Sequence, residues 1–176
     1  MLLHSSVSAQ RADFFKEDIT FRLDGIHLRV EGYYWIANPS AKPVESEIYY
    51  PFPIHAGDQI DSIRIYDISA GREVGHNTED TFGISFMLHV ACHDSVLLLI
   101  RYRQKLLADS AVYILKTTRG WGKPLAEAEF KLITPDAFVI KKFTYAPDES
   151  FALDKLRIYL WKKKDFMPAE DMVFHF

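Results

Sequence analysis

His89, Cys92, His93 and Asp94 lie close together in the chain, and imidazole, thiolate and carboxylate are the groups that hold a transition metal. Extended geometry argues against a centre here. Along a strand His89 and His93 share a face but stand about 13 Å apart, four residues at about 3.3 Å each. Ligands of one zinc lie within about 2.3 Å of it, and Cys92 points to the opposite face. For nucleophilic catalysis the chain offers serines and histidines without a strand–turn–helix elbow, since Gly83-Ile84-Ser85 reads as strand. The carboxylate pairs Glu79-Asp80 and Glu170-Asp171 fall in a loop and near the C-terminal end, where acidic groups are solvated. Arg119-Gly120-Trp121-Gly122-Lys123-Pro124 has the glycines of a phosphate cradle but no helix after it. The residues therefore predict no catalytic, metal or cofactor site.

Aromatic side chains offer a different chemistry. In Tyr33-Tyr34-Trp35 and Tyr49-Tyr50, adjacent positions on a strand point to opposite faces, so one of each pair lies away from a one-sided core. Exposed rings stack on sugars or anchor a protein partner. The preferred reading packs these rings inside covered sheets, with Trp121 folded back over a hairpin between Lys116 and Glu129. The candidate binding surface, if the rings are exposed instead, is Tyr34 with Arg119, Trp121 and Lys123.

The elements that must position these residues are strands. Ile19, Phe21 and Leu23 alternate with Thr20 and Arg22, and Ile84, Phe86, Leu88 and Val90 alternate with Ser85, Met87 and His89. A period of two marks strands with one buried face, and no helical stripe runs for three turns. Phe14–Leu23 and Ile26–Ile36 form a hairpin around Asp24-Gly25. A strand from Val44 ends in Pro51-Phe52-Pro53, because proline cannot donate to a ladder; Phe52 should plug the core. Ile60–Ile68 follows. Phe82–Cys92 and Ser95–Lys105 read as a hairpin around His93-Asp94, with Cys92 buried in register with Leu88 and Val90. Further strands are expected at 111–118, 125–134, 138–145 and 156–161, with a short last one through Met172, Phe174 and Phe176. Leu156–Trp161 is apolar on both faces, which suits an interior strand or a self-associating edge guarded by lysines.

The fold expected is an all-β, mainly antiparallel, immunoglobulin-like β-sandwich of about ten strands, with Phe21, Ile84, Phe86, Leu88, Val90, Leu98, Ile100 and Phe130 in the core. The 176 residues suffice for one such domain, 14–176, and hydrophobic residues at 48% exclude disorder. A net charge of −3 without a basic stripe speaks against nucleic acid. Lys162-Lys163-Lys164 runs into Asp165 and reads as a solvated strand end. One cysteine excludes an intramolecular disulfide, and no apolar run of about 18 residues spans a membrane. Residues 1–13 read as a flexible N-terminus or as the remnant of a signal peptide. Val7-Ser8-Ala9 fits the small-x-small cleavage pattern, but a charged n-region and a full apolar region are missing, so both readings stand.

Two stretches resemble known families. Asn38 through Tyr50-Pro51-Phe52-Pro53, then Ala56, Ile63, Ile68 and Gly71-Arg72-Glu73, resemble the layout of the vault/inter-alpha-trypsin-type domain. Arg101-Tyr102, Tyr113-Ile114-Leu115-Lys116-Thr117-Thr118, Trp121, Pro124, Ala128 and Pro135 look like extracytoplasmic β-sandwich domains of unknown function from bacteria and archaea. The resemblance spans roughly 30–135, consists of packing and turn residues, and implies a secreted or surface interaction module without catalytic residues. The functional expectation is a non-enzymatic, exported module, periplasmic or on the cell surface with a cytoplasmic location as the alternative, that binds a protein partner, self-associates or holds an envelope assembly together. A carbohydrate-binding sandwich and a small hydrolase are the alternatives.

Overall fold

The computed structural model describes residues 2–3, 12–53, 59–80 and 82–176. Among them fifteen strands, numbered in chain order, form three sheets. The largest runs in the order β13 (Glu149–Leu153), β14 (Leu156–Phe166), β11 (Leu125–Pro135), β2 (Asp13–Leu23), β3 (His27–Asn38), β9 (Asp94–Lys105), β5 (Gln59–Asp67) and β6 (Arg72–Glu73). The second runs β1 (Leu2–Leu3), β4 (Val44–Pro51), β8 (Gly83–Val90) and β7 (Asn77–Asp80). The third runs β10 (Ser110–Tyr113), β15 (Met172–His175) and β12 (Lys142–Phe143). Every pairing is antiparallel except β11 with β2.

The two small sheets cover one face of the large one. Phe21 on β2 packs edge-on against Tyr113 at 5.1 Å and Phe174 at 5.3 Å, both from the three-stranded sheet. Tyr34 on β3 meets Tyr50 of the four-stranded sheet at 6.0 Å. The eight expected core residues are all buried in this single cluster. Phe52 lies there too, 5.0 Å from the Tyr102 ring and 5.7 Å from Tyr50. All-β layering is thus established. The strand order is not that of an immunoglobulin domain, which has about seven to nine strands in two sheets.

Several elements depart from their expected form. The β2–β3 loop is Gly25-Ile26, because Asp24 N donates to His27 O at 3.1 Å and Gly25 takes φ 98. β8 and β9 are consecutive but do not form a hairpin: β8 pairs with β4 and β7, whereas β9 pairs with β3 and β5. Placing them in facing layers buries both apolar faces against each other, which a flat hairpin would not do. The crossover turns at His93, φ 53, and Asn38 pins it by donating to Ala91 O at 2.9 Å and Val90 O at 3.2 Å. Alternation stops at Val90, so Cys92 is exposed and not buried.

The stretch 111–118 is strand only to Tyr113 and then becomes a 3-10 helix, Lys116–Trp121, closed by Gly122 at φ 78. Of 138–145 only Lys142–Phe143 is strand. Leu156–Trp161 belongs to β14, which is paired on both sides; β13 and β6 are the edges of that sheet. The flexible segment expected at 1–13 lies mostly outside the described residues, its Leu2 and Leu3 pairing with Tyr49 and Ile48. Val7-Ser8-Ala9 and Ala56 also lie outside them.

Candidate functional site

The sheets meet at a buried polar junction. The Tyr34 hydroxyl lies 2.9 Å from that of Tyr50 and 2.8 Å from that of Tyr113, so one phenol from each sheet joins a single hydrogen-bond network. Tyr34 reaches this point because Gly32, two residues earlier on the same face, has no side chain; a Cβ there would collide with the Tyr34 hydroxyl and ring. Burial raises all three phenols above their ordinary values, together with Tyr102 beside Tyr50. Glu17 lies opposite Tyr34 in the β2–β3 ladder and is 2% exposed, and its Oε1 has no hydrogen-bond partner among the described residues. Burial pushes its carboxyl up to about 8, and its proximity further raises Tyr34. At neutral pH this carboxyl is protonated, and it sits in the core without exposure to a substrate.

Glu17 comes from a local device. A bulge between Phe14 and Lys16 shifts the register of β2, so that Phe14 and Glu17 both face inward, followed by Ile19, Phe21 and Leu23. Its parity with Ile19 and Phe21 was the available signal, although the sequence reading did not single it out.

The four residues of the candidate binding surface do not form one, and its two rings pack inward. Tyr34 is 1% and Trp121 5% exposed, and the Phe14 ring bridges them at 5.9 and 5.5 Å inside the core. Trp121 packs from the 3-10 helix, not over a hairpin. Arg119 donates to Pro168 O at 2.9 Å and Ala169 O at 3.2 Å, bracing the chain near its C-terminal end. Lys123 pairs with Asp13 at 2.8 Å. His89 faces Glu45 at 3.3 Å and His93 sits in the exposed crossover, and the described residues contain no group of three metal-ligating side chains.

What the fold does expose is the outer face of the large sheet, left uncovered by the smaller ones. One end carries rings and aliphatic groups: Tyr33, Trp35, Leu97 and Tyr66 are half-buried, and Ile68 is exposed. The β3–β9 register sets Trp35 opposite Leu97 and Tyr33 opposite Leu99, and Tyr66 lies beside Leu99 on β5. The Tyr33 and Trp35 rings are 6.3 Å apart, and the Lys16 ammonium stands 5.2 Å from the Trp35 ring. The other end is arginine-rich. The tyrosine next to the expected one, Tyr33, is therefore the outward-facing member of the pair.

No family model and no curated protein matches this sequence, so the vault-type layout is not supported by a match. Solved structures do match. A proposed nutrient-binding protein of Legionella pneumophila superposes with a TM-score of 0.71 at 14% identity, over 96% of this chain and 67% of that one. An M1 zinc metallopeptidase of Deinococcus radiodurans gives 0.58 at 12%, over 95% of this chain and 43% of that one. Yeast LTA4 hydrolase gives 0.51 at 9%, over 93% of this chain and 28% of that one. The likeness at these identities shows the fold. In each of these proteins it occupies part of a longer chain. No helix among the described residues is long and apolar enough to cross a membrane.

Proposed function

We propose that this chain is a non-enzymatic β-module that works by docking a protein through the outer face of its eight-stranded sheet. The observation that carries the reading is the half-exposed patch of Tyr33, Trp35, Leu97, Tyr66 and Ile68 on the outer sheet face, bordered by the charged Lys16, Asp18, Glu31 and Arg101. Rings bordered by polar groups are the usual anchors of a protein interface. The solved structures support a modular role, because the same fold forms a fraction of longer chains in the metallopeptidase and the hydrolase. A photo-crosslinker placed at Tyr66 in source cells should capture one recurrent protein, and capture should vanish with Trp35→Glu. A crosslinker at the exposed Val139 should capture nothing in common with it. Equal capture from both positions, or turnover in a peptidase and esterase screen, would overturn the proposal.

A carbohydrate reading uses the same face. The Tyr33 and Trp35 rings, tilted 37° to each other, form a shallow platform on which a sugar ring can stack. The nutrient-binding role proposed for the Legionella neighbour would, if shared, also use this platform. Glycan-array binding lost in Trp35→Ala would favour it over protein docking.

A further inference from the structure

Three arginines stand side by side on the outer face, away from the aromatic patch. Arg22 is directly opposite Arg29 in the β2–β3 ladder, and Arg29 is directly opposite Arg103 in the β3–β9 ladder. Like charges in such positions destabilise a sheet. Their neutralisation is uneven. Arg103 grips Asp61 with both arms of its fork at 2.8 Å, and Arg101 holds Glu31 at 2.7 Å. Arg29 has only a loose contact with Asp24 at 3.4 Å. Arg22 is exposed and has no ion pair among the described residues. Glu31 and Asp61 are each held by another arginine and Asp24 leans on Arg29, so Arg22 has no carboxylate partner among the described residues.

The arginines line a groove of about 490 Å³, which also receives Thr20 from β2 and Ser62 from β5. Ser62 sits at φ 57 in a bulge between Asp61 and Arg64, and its hydroxyl donates to Asp61 at 2.9 Å. Together with the fork of Arg103 this fixes Asp61 and makes one wall rigid. Bulges re-aim side chains beside functional sites. We propose that this groove binds an oxyanion, the carboxylate or phosphate group of a small ligand, held between Arg22 and Arg29 with the Thr20 hydroxyl as a further donor. Planar guanidinium groups match both kinds of oxyanion, and the groove has the size of a small-molecule site. An anion seated there relieves the repulsion that the ladder imposes. The site is open to water, so binding weakens as salt is added.

Calorimetric titration at low ionic strength tests this with inorganic phosphate, glycerol phosphate and succinate. At least one should bind saturably, and Arg22→Gln should weaken it by about tenfold or more. Lys164→Gln, on the same face but distant in register, should leave binding unchanged, and Asp24→Asn should tighten it by releasing Arg29. Inorganic phosphate binding as tightly as glycerol phosphate marks free phosphate as the ligand; tighter binding of an organic anion marks its carbon frame as part of the contact. Without anion, Arg22→Gln should melt no lower than the wild type, because it removes a repulsion. The proposal is overturned if none of the three binds saturably, if Arg22→Gln binds like the wild type, or if Lys164→Gln weakens binding as much as Arg22→Gln does.

Discussion

Glu17 and Tyr34 lie directly opposite each other in the β2–β3 ladder with both side chains in the core, so an ionisable carboxyl abuts the phenol that joins the three sheets. A carboxyl costs little to bury while protonated and much when charged.

That relationship fixes a pH dependence. The folded-state value of Glu17 is about 8 against an ordinary 4.5, with burial as the dominant cause. Below the ordinary value both states hold the proton, and its stabilising contribution is fully present. Between the two values the folded state keeps a proton that the unfolded state has lost, so stability falls by about 1.4 kcal/mol per pH unit. Above the folded value the contribution is gone. Urea unfolding should therefore show stability declining from about pH 5 to about pH 8, by several kcal/mol in all. Glu17→Gln should remove the decline and be more stable than wild type at the upper end. A parallel pair of curves would show that the carboxyl is solvated.

Much of the layering was legible in the sequence, because alternation on Phe21, Ile84, Phe86, Leu88, Val90 and Leu98 assigns each strand a buried face whatever its partners. Pairing was not legible. The motif at 82–105 looks like a hairpin by spacing alone, yet its halves enter facing sheets, since the choice depends on what else must be covered. A one-residue error in the first turn had a larger effect. With Asp24-Gly25 as the loop, Arg22 would face His27; with Gly25-Ile26 it faces Arg29, and the arginine row emerges. Tyr34 shows the same limit. Alternation says that one of Tyr33 and Tyr34 faces outward, and only the covering sheets decide which.

The phenol network should be cohesive. Tyr34→Phe leaves the hydroxyls of Tyr50 and Tyr113 each without their shared partner in the core, at a cost of about 2–3 kcal/mol. Tyr33→Phe, on the outer face, should stay within about 0.5 kcal/mol of wild type. Denaturant midpoints compare the two. Equal effects would mean that the network adds nothing beyond packing.

Gly32 should be intolerant for a steric reason alone. Its Cβ would meet Tyr34 ring carbons at 2.7 Å and overlap the hydroxyl, so Gly32→Ala must push the ring out of place. Overpacking of this kind costs about 1–3 kcal/mol. In the wild type the buried Tyr34 hydroxyl should give a slowly exchanging NMR resonance, and the displaced ring should lose it. An alanine variant that keeps both that resonance and the wild-type melting point would refute the close approach.

Asn38 is the remaining test of how the layers are joined. It is 1% exposed at the end of β3, and its amide nitrogen donates to Lys42 O at 2.7 Å, Ala91 O at 2.9 Å and Val90 O at 3.2 Å. Its carbonyl oxygen accepts from Ser40 N at 3.0 Å and from the Ser40 hydroxyl at 2.7 Å. One side chain thus ties the β3–β4 loop to the crossover that carries the chain from β8 to β9. Asn38→Ala removes the donor from carbonyls turned inward and should cost about 2–3 kcal/mol. Asn38→Asp should be no better, because a carboxylate has no N–H to donate to these carbonyls. Hydrogen exchange distinguishes a local from a global effect. Exchange at His93 N, which donates to Ser40 O at 3.0 Å, accelerated more than exchange in the core strands is the expected result. Uniform acceleration across β3 and β9 would instead place Asn38 in the cooperative core, and no acceleration at His93 would break the proposed tie.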